Sequence, residues 1–299
     1  MSEIPETQYY RQENFQVEGG TLPIAVTAYR THGDPSNPCI VFPTCYGGRL
    51  DSQYYFVGEG KVLDTKKYFV VTFALFSNGE SSSPSNTPAP HNGPYFPQIS
   101  YADNIRAQHA VITKVLGISK SDFRWEDSRR NSTVRKEGVL VERYGKLIRK
   151  WGSFLEGPKA ALVSARDYQF GHYLKNPEVG LRAFGRGGKY RSLEAFMRAE
   201  WESGFLNWDA NDLLTLMHTW YSGDISKVNH QGDLESALKS IQVKGQSQPE
   251  DNEYEVSILP NSRFVVIDSV WGHVAGGGAD KGDLAFMEEQ ITKFLEEEL

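Results

Sequence analysis

A chain of 299 residues is long enough to bury a sizeable core in one large domain or two modest ones. With 39% hydrophobic and 23% charged residues and a formal net charge of −6, it has the balance of an ordinary globular protein, and nothing in bulk points to nucleic acid or a membrane surface. No apolar run approaches the roughly 18 residues needed to span a bilayer.

In chain order, MSEIPETQYY has no basic segment followed by an apolar run, so no secretory signal is expected. Phe15–Glu18 and Leu22–Tyr29, separated by Gly19-Gly20, predict a hairpin. Cys39–Phe42 (CIVF) is a short apolar run ending at Pro43, as a buried parallel strand would be, and Tyr68–Leu75 (YFVVTFAL) is a second. The following SNGESSSPSNTPAPHNGPYFP is dense in Gly, Pro, Ser and Asn and predicts a long loop. Tyr101–Leu116 carries apolar residues at helical spacing.

Then the pattern breaks. Where a buried strand should come, SKSDFRWEDSRRNSTVRKEG arrives (Ser119 to Gly138). Between Lys120 and Lys150 there are ten Lys/Arg and five Asp/Glu, a local +5 against −11 for the rest. Fifteen charges in 31 residues cannot be buried on two faces unless nearly all are paired, so 119–153 is expected to add no strand to the central sheet. A basic patch for an anionic partner is the functional reading of this island, and a solvated or ill-fitting stretch is the simpler one.

Residues 155–222 read as mostly helical, Phe264–Asp268 (FVVID) as a last strand and Leu284–Leu295 as a terminal amphipathic helix. FLEEEL at the end matches no simple address tag. Cys39 and Cys45 are the two cysteines, which fits a reducing compartment better than a disulfide framework. A cytoplasmic location is expected. Short strands alternating with helices predict an α/β protein with a mostly parallel sheet. One domain over 1–299 is expected, with a helical cap inserted at about 155–235 and the central strand lost or distorted.

Two pieces carry chemistry. CIVFPTCYGG is a strand entering a tight, Gly-ended turn whose backbone N–H groups could hold a developing oxyanion. SVWGHVAGGG sets His273 just after the last predicted strand, among glycines that let a loop approach a substrate closely. Either alone is usually structural. It is their order along the chain that pairs them, because α/β-hydrolases keep the general base after the last strand.

CIVFPTCYGG, FSNGESSSPSN, FPQISYADNIRAQHAVITKVLG, FLEGPKAAL, WDANDLLTL, PEDNEYEVSILPN and DSVWGHVAGGG resemble the homoserine O-acetyltransferase-like acyltransferases of the α/β-hydrolase fold, the fungal members above all. The resemblance spans most of the chain outside roughly 118–153 and two shorter gaps. It implies ping-pong acyl transfer, in which a serine on a G-x-S-x-G elbow takes an acyl group from acyl-CoA and passes it to a hydroxylated acceptor. By motif position His273 matches the family's base, and the backbone N–H of Cys45 matches one oxyanion donor. No bound cofactor and no metal are implied. The partners would be a small-molecule acyl donor and acceptor, without nucleic acid or membrane, and a homodimer is left open. Two other readings stand beside transfer: a hydrolase cleaving an ester or thioester, and a non-catalytic binding or scaffold protein.

The nucleophile is missing. No G-x-S-x-G occurs, and Gly245-Gln246-Ser247-Gln248-Pro249 lacks the second glycine and comes too late in the chain. Permitted codons for Phe123-Arg124-Trp125-Glu126 and its flanks, read one frame over, give Gly-Phe-Ser-Met-Gly-Gly-Gln-Gln-Ala, the elbow expected of this family. The island therefore reads as the elbow segment out of frame. RAFGRGGKYRSLEAF jumps at Arg186–Gly187, and SIQVKGQSQPEDNEYEV is too short for the turn that supplies the family's acid. Glu250 and Asp251 belong by motif to the block after that turn, so neither takes the acid role. Nucleophile and acid both stay unassigned.

Overall fold

The computed structural model describes residues 4–53, 56–118, 123–125, 206–227, 230–240, 256–260, 262, 264–267 and 280–296. Its centre is a five-stranded sheet made of β1 (Gln8–Val17), β2 (Gly20–His32), β3 (Cys39–Pro43), β4 (Phe69–Phe73) and β5 (Phe123–Trp125), in the order β1-β2-β4-β3-β5. The predicted hairpin forms and runs longer than expected, with Val17 opposite Gly20 at its turn and Gln8 opposite Tyr29 at its far end. Gly20 lies at φ 140°, a backbone region that glycine enters without a Cβ penalty. Tyr29 to His32 then pair antiparallel with β4.

The two apolar runs become the buried middle of the sheet. β3 and β4 are parallel, Cys39 opposite Phe69 through Pro43 opposite Phe73. Every residue of β4 is buried, and in β3 only Phe42 is partly exposed. Strands covered on both faces need apolar side chains at successive positions instead of alternating ones, which is why CIVF and FVVTF were readable.

Each face has its own cover. On one, Tyr29, Val41, Val71 and Phe73 pack with Val111 and Ile112. Those two residues continue helix α1 (Tyr101–Ala110) as a π-type turn over Val111–Val115. On the other, Ile40 and Val70 pack with Val57, Leu63, Ile291 and Leu295. The last two belong to the C-terminal helix Lys281–Glu296, which confirms the terminal helix expected from sequence. Two more helices are described, α2 (Ala210–Ser222) and α3 (Leu234–Lys239), and the C-terminal helix is α4. None is long and apolar enough to cross a membrane.

α1 starts with a capping box. Ser100 Oγ accepts from the Asp103 N–H at 3.2 Å, and Asp103 Oδ2 accepts from the Ser100 N–H at 2.8 Å, which satisfies two donors that a helix start otherwise leaves unpaired. The same carboxylate oxygen accepts from the Glu18 N–H at 2.9 Å, tying the helix to the hairpin turn.

Two expectations need correction. The charged stretch does add a strand: β5 pairs parallel with β3, Phe123 opposite Cys39 and Trp125 opposite Val41. Ladder bonds are made by backbone, and the Cys39–Val41 edge needs partners whatever side chains supply them. Phe and Trp also favour strands. Conversely, residues 264–267 of FVVID lie outside any strand, and Val266 is half exposed. An apolar run becomes a strand only where another edge receives it, and among the described residues β5 ends the sheet. Most of the expected cap, 155–205, lies outside the described residues, as do 126–153 and the joins near Arg186 and at 241–255.

Candidate active site

The carboxyl edge of β3 is built by Thr44 and the turn after it. Thr44 is buried. Its N–H donates to the Phe73 carbonyl at 2.7 Å, and its Oγ1 accepts from the Leu75 N–H at 3.1 Å. Both parallel strands are therefore closed at the same level. Cys45-Tyr46-Gly47-Gly48 then forms a tight turn, with the Gly48 N–H donating to the Cys45 carbonyl at 3.0 Å. Gly47 sits at φ 71°, and a Cβ on Gly48 would lie 3.1–3.2 Å from Cys45 Sγ, N and O. The two glycines thus have different jobs, one conformational and one steric. Cys45 is exposed and Cys39 buried, and the two are not joined as a disulfide. Burial pushes the Cys39 thiol up to about 12, leaving it an inert core side chain.

The Ser/Asn-rich loop after β4 is fixed by its own side chains. Ser81 Oγ accepts from the Ala28 N–H and donates to the Ala74 carbonyl, at 2.9 and 2.8 Å. Ser82 Oγ accepts from the Val26 N–H at 2.8 Å, and Asn104 Oδ1 from the Phe76 N–H at 2.8 Å. Asn78 and Glu80 join this loop to the turn. Asn78 Nδ2 reaches the Gly48 carbonyl at 3.4 Å, and Glu80 Oε2 accepts from the Leu50 N–H at 2.9 Å. Ser77, fully buried at φ 70°, has a hydroxyl with no hydrogen-bond partner among the described residues. A non-glycine residue held in that region next to an orphan hydroxyl is typical of functional edges.

Helix α2 roofs this edge. Asp209 caps it, accepting from the Asn211 and Asp212 N–H groups at 2.8 and 3.3 Å. Asp212, buried in the first turn, accepts from the Ser85 N–H at 2.9 Å and the Ser85 hydroxyl at 2.6 Å. Burial raises its carboxyl above the usual range, and the Ser85 bonds oppose that rise. Further along, Thr219 Oγ1 donates to the Ile99 carbonyl at 2.7 Å. The Trp220 ring lies 5.5 Å from Tyr46 of the turn, tilted by 34°, and its buried indole N–H has no acceptor among the described residues.

Of the residues singled out in the sequence, Cys45 lies in the turn that follows β3. His273, Ser247, Glu250 and Asp251 lie outside the described residues. The described edge sets the Cys45–Gly48 turn beneath a helical roof. Among the described residues it brings no nucleophile and base together, and no cluster there could hold a metal ion. A cavity of about 200 Å³, lined by Lys61, Val62, Asp64, Lys67, Tyr68 and Thr292, opens by the residues leading into β4, at the other end of that strand from this edge. Sequence reasoning missed Asp212, Trp220 and Arg49. Only WDAND hinted at the first, as an Asp cap followed by a second Asp.

No family model matches the chain. An ethyl acetate hydrolase of Pseudomonas veronii is 28% identical over 345 aligned positions, covering 96% of this chain and 98% of that protein. A homoserine O-acetyltransferase of Chlorobium chlorochromatii is 24% identical, covering 91% of each. Among solved structures, the acetyl esterase MekB superposes with a TM-score of 0.81 at 24% identity, over 98% of this chain and 97% of that one. The homoserine O-acetyltransferase of Bacillus anthracis does so with a TM-score of 0.74 at 16% identity, over 99% of both. The relatives thus include the acyltransferases that the sequence blocks resemble, together with esterases. The alignment to the ethyl acetate hydrolase exceeds the 299 residues of this chain by 46 positions, so at least that many positions of the relative face gaps.

Proposed function

For a chain of the α/β-hydrolase fold related to esterases and homoserine acyltransferases, we propose an acyl-ester site at the carboxyl edge of β3 that cannot form an acyl-enzyme in this chain. The observation that carries this is the Cys45–Gly48 turn, set at the strand end by Thr44 and roofed by α2.

In such a site a serine attacks the ester carbonyl and the carbonyl oxygen becomes an oxyanion. Under this reading the Cys45 N–H stabilises that charge, while His273 takes the serine proton and returns it to the leaving alcohol. Water then releases the acid. This chain keeps the turn and the histidine, but no G-x-S-x-G occurs in its 299 residues. The strand beside β3 reads Phe-Arg-Trp. The island needs no anionic partner under this reading.

The test is intact-mass spectrometry after incubation with p-nitrophenyl acetate, with nitrophenol release followed beside a His273→Ala control. We expect no acetyl adduct and no rate above that control, although such sites can retain catalysis over water after losing a nucleophile. A rate that depends on His273 would show that a nucleophile is present.

The homoserine acetyltransferase relatives favour a second reading of the same site, acyl transfer from acyl-CoA to a small hydroxylated acceptor. The α2 roof supports it, since excluding water is what lets an alcohol compete as acceptor. Acetyl-CoA with homoserine or serine is the corresponding assay, again with no turnover expected.

A further inference from the structure

We propose that Arg49 is a positioning residue, clasping the roof helix to the oxyanion turn so that the two hold their shape together. The proposal rests on the reading of 45–48 as the oxyanion element. Arg49 follows that turn directly. Its Nη2 donates to the Asn207 carbonyl at 2.8 Å, and its guanidinium carbon lies 4.6 Å from the centre of the Trp208 ring. A planar cation stacked on an aromatic face with one fork nitrogen on a carbonyl is fixed in orientation as well as in place.

The second half of the clasp is Tyr46 against Trp220. Trp208 and Trp220 flank α2, one just before it and one in its last turn, roughly 18 Å apart along the helix. Residues three apart on one short turn thus hold both ends of the roof. Asp212 spends its carboxylate on Ser85 but lies close to the guanidinium. A Cβ on Gly79 would come 3.4 Å from Asp212 Oδ2 and 3.5 Å from Arg49 Nη2. Glu80 hangs from the Leu50 N–H, next in chain. With the Asp212 carboxylate beside it, Arg49 serves as the cation of this joint and not as a receptor for an anionic substrate.

The coupling is read without substrate, by amide hydrogen exchange, so it can fail independently of any assay of turnover. Arg49→Gln should raise exchange about tenfold or more in peptides covering both 44–48 and 206–222, leaving the β4 peptide unchanged. Arg49→Lys, which keeps a cation over Trp208, should restore most of the protection, and the Trp208 fluorescence should shift to the red in Arg49→Gln only. Trp208→Leu should reproduce the paired rise in exchange should Arg49→Gln not fold. Exchange that rises in 206–222 but not in 44–48, or a lysine variant no better than glutamine, overturns the proposal.

Discussion

Thr44 is where the sheet ends and the candidate site begins, and both of its polar groups are committed. Thr44→Val keeps the shape but leaves the buried Leu75 N–H without its acceptor at Oγ1. An unpaired buried donor costs about 1–3 kcal/mol, so a urea titration should show a loss of that size, and a neutral result would mean that water reaches the Leu75 amide. Gly33 is a harsher case. It lies at φ 84°, and an added Cβ would sit 2.4 Å from the Tyr68 carbonyl oxygen and 2.5 Å from that of Thr65. Both obstacles are backbone, which cannot swing aside as a side-chain tip can. Gly33→Ala should therefore destabilise the fold by about 2–4 kcal/mol, read as a lowered midpoint with an unchanged denaturant slope.

At the scale of elements, what could be read in the sequence follows the range of the forces involved. β3 and β4 were legible because full burial writes apolar residues at every position, and the Gly19-Gly20 hairpin because a turn is a local event. The Cys45 turn was legible for the same reason, through Gly47-Gly48. β5 was not, since its existence depends on an open edge at Cys39–Val41 and not on its own composition. FVVID erred the other way, an apolar run whose residues 264–267 lie outside any strand. The roof is non-local throughout: Ser85 meets Asp212 across 127 positions and Arg49 meets Asn207 across 158. Asp212→Ala tests that joint. Removing the carboxylate strands the Ser85 donors, so α2 should lose protection from amide exchange while β3 and β4 keep theirs. If β3 loosened equally, the roof would be part of the core and not a lid upon it.

For the molecule as a whole, acid should act in part through a buried histidine. His32 ends β2 beside the first residues of β4, with His32 opposite Val70 and its Nε2 3.2 Å from Thr72 Oγ1. Burial, reinforced by the nearby Arg30 charge, lowers its pKa from 6.5 to about 4, so the fold keeps this ring neutral. The unfolded chain takes up a proton near pH 6.5 and the folded chain does not until about pH 4. Between those values the unfolded state binds more protons, and stability falls as pH falls. Fully expressed, the loss is about 1–3 kcal/mol once partial solvent screening is allowed for. Carboxylates add their own acid loss below about pH 4.5, so the comparison is with His32→Gln, which cannot titrate and can still hydrogen-bond to Thr72. At pH 7 the variant should be less stable than the parent, because glutamine fits the site less well. On lowering the pH from 7 to 4.5 that gap should narrow or reverse, because only the parent pays the proton penalty. Urea midpoints at half-unit pH steps measure it. A gap that stays constant over that range would mean that His32 titrates alike in both states, with water reaching the ring at the β2–β4 seam.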